Sequence, residues 1–191
     1  RAAGVPGSPT VALGERGILD ALPHEIVQPI VAVAHDRDRP TLSAVLMHDV
    51  GPWLVPAVDE PISAEQNTRF LDHMAALHVT FWETGLDVDV VTPRNRYLEL
   101  SPRMAAAEAA LGSTHLVPSL VAEGWPRLES VAPRAAAVVV PLVEEPDPLL
   151  AALAATPQTF VHGNWKLDNL GTDDAGRTVL LEDRKSTRLN S

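Results

Sequence analysis

The stretch FVHGNWKLDNLGTDDAGRTVLLE, residues 160–182, constrains the fold of this chain more than any other. The apolar run TFVH precedes a polar loop, and a DDAG turn separates NLG from TVLL. Apolar runs bounded by turn residues predict a short strand at 159–162, a loop, and then a tight two-stranded hairpin. The hairpin would return residues 180–182 to the side of the loop. We therefore expect a loop of polar side chains held by a small sheet.

Three side chains of this loop, His162, Lys166 and Asn169, fit the pattern H-x-D-x-K-x-x-N. In phosphoryl transfer the acid of this pattern accepts the proton of the substrate hydroxyl, the lysine faces the transferred phosphate and the asparagine binds Mg²⁺. A carboxylate returning at Glu182 would hold the same metal. The spacing thus predicts Lys166 as catalytic, and Asn169 and Glu182 as metal ligands. His162 is expected to be a buried brace of the loop.

The acidic position of the pattern holds Asn164, whose amide oxygen accepts hydrogen bonds but is not a base at neutral pH. Asp168, a further carboxylate in the loop, is a candidate substitute base, although four residues further on it is expected to point away from the hydroxyl. Asparagine and aspartate codons differ by one base, so a sequence error is an alternative. The candidate catalytic residues are therefore Asn164, Lys166 and Asp168.

Composition narrows the class of protein. The chain has 191 residues, 46% of them hydrophobic, which is enough for one domain or two small lobes. A net charge of −10 argues against nucleic-acid binding, which depends on basic patches. The apolar runs are shorter than the roughly 20 residues that span a membrane, so no membrane contact is expected. With no cysteine and no signal-like start, a cytoplasmic location is the expectation. A monomer is also expected.

Periodicity and turn residues predict the other elements. Ser63 followed by Gln66 is a capping-box signature for a helix that extends to about Glu83. Residues 26–34 and 41–47 indicate a strand pair, with Pro29 at an edge or bulge. Further helices are predicted where apolar spacing or a proline at the first turn favours them, at 12–22, 102–111, 118–124, 126–132 and 147–155, the last capped by Asp147.

With these motifs the chain resembles the aminoglycoside phosphotransferase family of kinase-like enzymes, in the branch that carries HGDWK-x-x-NLG followed by GRTVLLDW. The resemblance also includes LMHDVGPWLVP and FLDHMAALHVTFW and covers most of residues 15–182. It implies an α+β, protein-kinase-like two-lobe fold that is incomplete, with a partial N-lobe sheet and a mostly helical C-lobe. The N-lobe would occupy residues 1–50 and end in a hinge, and the C-lobe would occupy residues 51–182.

The resemblance also implies an activity, namely ATP-dependent transfer of phosphate to a small-molecule hydroxyl, with ATP and Mg²⁺ as cofactors. Backbone groups of Met47, His48 and Asp49 in the hinge would bind adenine. The glycine-rich loop and the strand lysine of the family would lie before Arg1, and Glu15 is a candidate partner of that lysine. The 191 residues are therefore expected to be a fragment that binds ATP poorly.

The last nine residues, DRKSTRLNS, match one translated frame of a common sequencing-library adapter. We expect residues 183–191 to be an artefactual tail with no native role, and an alternative for Glu182 is that it stands in place of an aspartate. A different class of function is also open. Loss of the acid at Asn164 would suit a nucleotide-binding pseudokinase with impaired catalysis, and a purely structural protein is the third alternative.

Overall fold

The computed structural model describes residues 13–14, 16–36, 38, 43–56, 61–86, 91–114 and 116–181. These residues form helices and small sheets together, which confirms the mixed α and β composition. The chain divides into two compact units, one of residues 1–90 with 158–191 and the other of Val91–Pro157. The lobe boundaries proposed from the sequence stay predictions. Residues 182–191, including Glu182 and the predicted tail, lie outside the described residues, as does Glu15.

A three-stranded sheet organises the first unit. It contains β1 (Ile26–Val27), β4 (Leu170–Thr172) and β5 (Thr178–Leu180) in the order β1-β5-β4. β4 and β5 pair antiparallel, which confirms the predicted hairpin, whereas β1 pairs with β5 in parallel. The hairpin turn is closed by Gly176, whose φ of 80° favours glycine, and by the buried carboxylate of Asp173.

A separate pair of strands, β2 (Ile30–His35) and β3 (Ser43–Met47), is antiparallel, as predicted. The predicted strand at 26–34 is wrong in one respect, because it is divided between β1 and β2. Proline has no backbone N–H to continue a ladder, and the carbonyl of Pro29 accepts a hydrogen bond from His48 N instead (2.9 Å). The register shift that follows, between Ile30 and Ala32, fits the expected bulge.

Helix α1 (Ala64–Thr80) crosses the first unit. The Ser63 hydroxyl accepts a hydrogen bond from Gln66 N (3.1 Å), which confirms the predicted cap. Phe70 is buried against Val55 and Leu170, so the helix and the hairpin share one core. The helix ends slightly before the predicted Glu83. Of the helix predicted at 12–22, the described part includes a 3₁₀ turn at Leu19–Ala21.

The second unit is built from short helices, most of which begin at or next to a proline. They are α2 (Pro93–Leu98), α3 (Pro102–Ala110), α4 (Leu116–Gly124), the 3₁₀ turn Trp125–Arg127, α5 (Leu128–Val131), α6 (Pro133–Glu144) and α7 (Asp147–Ala154). Helices α2 and α6 were not predicted from the sequence, and α6 contains an internal proline, Pro141. Asp147 is the first residue of α7, and the N-cap position belongs to Pro146. No helix in the described ranges is long and apolar enough to cross a membrane.

The strand predicted at 159–162 is wrong, because these residues have no ladder partner within the described parts of the chain. They are held at the end of α1 by other contacts. The hydroxyl of Thr159 donates to the carbonyl of His78 (2.6 Å), and Glu83 N donates to the carbonyl of Gln158 (2.7 Å). The ring of Phe160 packs edge to face on Phe81, with centroids 5.5 Å apart. The loop therefore starts from the end of a helix and not from a sheet.

Candidate functional site

The polar loop runs from His162 to Asn169 and ends in a 3₁₀ turn at Leu167–Asn169. Two backbone hydrogen bonds shape it, from Lys166 N to the carbonyl of Asn164 (3.0 Å) and from Asn169 N to the carbonyl of Lys166 (2.9 Å). Gly163 has a φ of 75°, in the left-handed region that glycine adopts without strain. The loop thus brings together four of the predicted site residues, namely Asn164, Lys166, Asp168 and Asn169.

Asn169 is the anchor of the loop. Its side chain is completely buried, and its Nδ2 donates to the carbonyl of Asn164 (3.0 Å). Its Oδ1 is buried without a hydrogen-bond partner among the residues that the structure describes. Buried acceptors are nearly always paired because leaving one unpaired costs about 1–3 kcal/mol. An amide oxygen is a hard ligand of the kind that Mg²⁺ prefers, so Asn169 fits the predicted metal role.

The hairpin returns beside this anchor, as the sequence predicted. Leu181 N donates to the carbonyl of Asn169 (2.9 Å), and Leu180 is the register partner of Leu170. Position 182 follows directly, but Glu182 lies outside the described residues, so its role as a ligand stays a prediction. Across the described residues, no group of three or more His, Cys, Asp or Glu side chains is placed to hold a metal ion. A cation bound at this site would be held by Asn169 together with ligands that do not belong to such a group.

Lys166 and Asp168 form an ion pair, with 3.0 Å between Nζ and Oδ2. Their side chains are 39% and 45% exposed, so water screens the pair and it adds little to stability. Either member of such a pair can leave the other and bind a different partner. The Lys166 ammonium can turn to a phosphate group without a large energetic cost, whereas the Asp168 carboxylate is engaged by a cation in this state.

The peptide group of Asn164 holds the loop together, because its carbonyl accepts from both Lys166 N and Asn169 Nδ2. The side chain is half-buried and makes no hydrogen bond within the described part of the chain. The backbone geometry at this position is therefore set by the peptide and not by the side-chain amide. An aspartate would fit the same backbone, and the amide contributes no base.

His162 lies at the start of the loop, half-buried, with its ring 6.4 Å from that of Trp165 at an angle of 81°. Burial lowers its pKa below the ordinary value of 6.5, and this outweighs backbone groups of Asn164 and Leu181 that favour the protonated form. Its Nδ1 is buried with no partner among the described residues. A neutral, enclosed ring fits the expected bracing role better than proton transfer.

The predicted adenine-binding residues lie in the same unit as the loop. Met47 ends β3 and packs against Val50, Val179 and Leu181. The Oδ1 of Asp49 accepts from Gly51 N (3.0 Å). The N–H of His48 is used by Pro29, so it is not free for a nucleotide, while the side chains of His48 and Asp49 are exposed. Adenine binding by these residues stays a prediction.

We call residues 47–55 the connector, and its end lies against β4. Val55 N donates to the carbonyl of Leu170 (2.8 Å), and Leu54 forms an antiparallel bridge with Gly171. Gly171 was not among the predicted site residues, although a glycine inside a strand signals a close backbone approach. The connector and the polar loop are therefore joined through the two residues that follow Asn169.

Comparisons with protein-family models, with curated proteins and with solved structures gave no significant match.

Proposed function

We propose that this chain carries the catalytic loop of a kinase-like phosphotransferase that uses ATP and Mg²⁺ to phosphorylate a small-molecule hydroxyl. The observation that carries the proposal is the buried, unpaired Oδ1 of Asn169 in a loop with the spacing of phosphoryl-transfer enzymes. The short hairpin that returns Leu181 to Asn169 supports it. The proposal includes the kinase-like fold of two lobes that the resemblance implies.

In the proposed reaction Asn169, Lys166 and Asn164 each have one role. Asn169 would hold the metal, which when bound offsets the negative charge of the phosphates. Lys166 would leave Asp168 and pair with the transferred phosphate, where its fixed charge stabilises the charge that spreads over the oxygens. The carbonyl of Asn164 keeps the loop in shape for both. The substrate hydroxyl would lie beside the Asn164 side chain.

A second candidate is a nucleotide-binding protein with impaired transfer. It is favoured by the amide at Asn164 and by the engagement of the Asp168 carboxylate with Lys166. General-base help is typically worth about 10²- to 10⁴-fold in rate, so a site without it keeps slow transfer through positioning and charge alone. The two candidates share the nucleotide site and differ in rate.

Calorimetric titration of the complete protein encoded by the parent gene, with ATP in the presence and absence of Mg²⁺, tests the proposal. We expect Mg²⁺-dependent binding that weakens by about tenfold or more in Asn169→Ala, as changes at metal sites typically do. Asn67→Ala, at an exposed asparagine of α1, is the matched control and is expected to bind as the unmodified protein does. The proposal is contradicted if ATP binds equally tightly with and without Mg²⁺, or if a folded Asn169→Ala protein binds ATP as tightly as the unmodified protein does.

A further inference from the structure

Gly171 of β4 lies against the backbone of the connector. A Cβ added there would lie 2.5 Å from the backbone oxygen of Trp53 and 2.9 Å from the Cα of Leu54. Ordinary contacts of a Cβ are 3.4 Å or longer, so any larger residue must displace one of the two backbones. These neighbours are main-chain atoms, which cannot turn away as a flexible side chain would. Glycine is thus required here for space.

The same contact joins two parts of the proposed site. On one side, the connector begins at Met47 and reaches β4 through the bridge of Leu54 with Gly171 and the hydrogen bond from Val55 N to the carbonyl of Leu170. On the other side, Asn169 precedes Gly171 by two residues in the chain. Leu170 and Val55 are buried, at 1% and 7% exposure, whereas Trp53 and Leu54, which the added Cβ would meet, are half-buried. Because the interior around Leu170 and Val55 is closely packed, a displacement at Gly171 would move the backbone of β4, that of the connector, or both.

We propose that Gly171 is a positioning residue that sets the distance between the nucleoside end and the phosphate end of the nucleotide site. The inference rests on the proposed function, in which Asn169 holds the metal, and on the predicted binding of adenine by Met47, His48 and Asp49 of the connector. A nucleotide gains from both ends only if their spacing matches its own length. In an active site a misplacement of about 1 Å lowers the reaction rate by up to about 10²-fold, so the spacing of the two ends has to be held closely.

The test compares the binding of adenosine and of Mg²⁺·ATP to the complete protein, to Gly171→Ala and to Gly124→Ala. Gly124 is the matched control, since a Cβ there meets no atom within 4 Å. We expect Gly171→Ala to weaken Mg²⁺·ATP binding by about tenfold while adenosine binding changes less than about twofold, because adenosine uses the connector alone. Gly124→Ala is expected to change neither.

The outcomes separate this inference from the proposed function. An unmodified protein that binds neither ligand overturns both. If it binds both ligands and Gly171→Ala weakens them equally, or weakens neither, the positioning role alone is overturned, because a general loss of structure would not distinguish the two ligands.

If Gly171→Ala does not fold, hydrogen exchange in the unmodified protein decides the question. Adenosine should slow the exchange of amides in residues 50–56 and also in residues 170–172, which it does not touch. The two protections should appear at the same adenosine concentration, because one bridge joins the segments. Protection confined to residues 50–56 would overturn the positioning role.

Discussion

Asn164 has two separable roles, one in its peptide group and one in its side chain. The carbonyl accepts from Lys166 N and Asn169 Nδ2, and both bonds depend only on the backbone position. The side-chain amide is half-buried and cannot take a proton. A change of this side chain to a carboxylate should therefore alter the chemistry and leave the loop in place.

We expect Asn164→Asp in the complete protein to raise the rate of phosphoryl transfer by about two orders of magnitude, with little change in ATP affinity, because it supplies a general base. Single-turnover measurement of phosphate transfer separates this step from binding. Asp168→Asn is the companion variant, since it removes the carboxylate that pairs with Lys166. Equal rates for the unmodified and Asn164→Asp proteins, with activity lost only in Asp168→Asn, would place the base at Asp168.

A polar side-chain contact between His73 and Thr178 joins α1 to β5. His73 Nδ1 lies 2.8 Å from the hydroxyl of Thr178, which is fully buried. Burial lowers the pKa of His73 below 6.5 and outweighs the acids Glu25 and Asp72, while the cationic groups facing it, Arg69 and His24, lower it further. The folded protein therefore resists protonation of this ring.

The sign of the pH dependence follows from that lowered pKa. The unfolded chain binds the His73 proton more readily than the folded protein does. The contribution of His73 to the free energy of unfolding is therefore complete above about pH 6.5 and falls as the pH drops through this value. Urea unfolding at about pH 7.5 and pH 5.5 should show a smaller loss in His73→Gln than in the unmodified protein. His48→Gln, at an exposed histidine, should keep the full loss. An unchanged loss in His73→Gln would contradict this account.

In the first unit β5 is the central strand of the three-stranded sheet, because it lies between β1 and β4. Val179 at its centre is completely buried and packs with Val50 and Leu181. Thr178 N also donates to the carbonyl of Glu25 (2.8 Å), so segments about 150 residues apart in sequence meet here. The stability of this unit should therefore depend on the packing of β5 more than on any single helix.

We expect Val179→Ala to lower the free energy of unfolding by about 2 kcal/mol, since it removes two buried methyl groups and leaves a cavity. Val138→Ala is the matched control, because Val138 is 60% exposed on α6 and its truncation should change stability by less than about 0.5 kcal/mol. Urea unfolding followed by circular dichroism measures both. Equal effects of the two variants would show that β5 is not the centre of this core.

Features that depend on neighbouring residues could be predicted from the sequence. The Ser63 cap, the hairpin after Asn169 and the loop that carries Asn164, Lys166 and Asp168 follow from signals a few positions apart, and the structure contains each of them. These elements are predictable because their hydrogen bonds close within one helical turn or one tight turn.

The contacts between distant segments could not be predicted from the sequence and are known from the fold. The parallel pairing of β1 with β5, the absence of a strand at 159–162 among the described residues and the contact of Gly171 with Trp53 join segments far apart in sequence. Helix α6 persists across Pro141 although a proline there disfavours a helix. Such outcomes depend on burial and on backbone approach between distant segments, and neither periodicity nor turn chemistry records them.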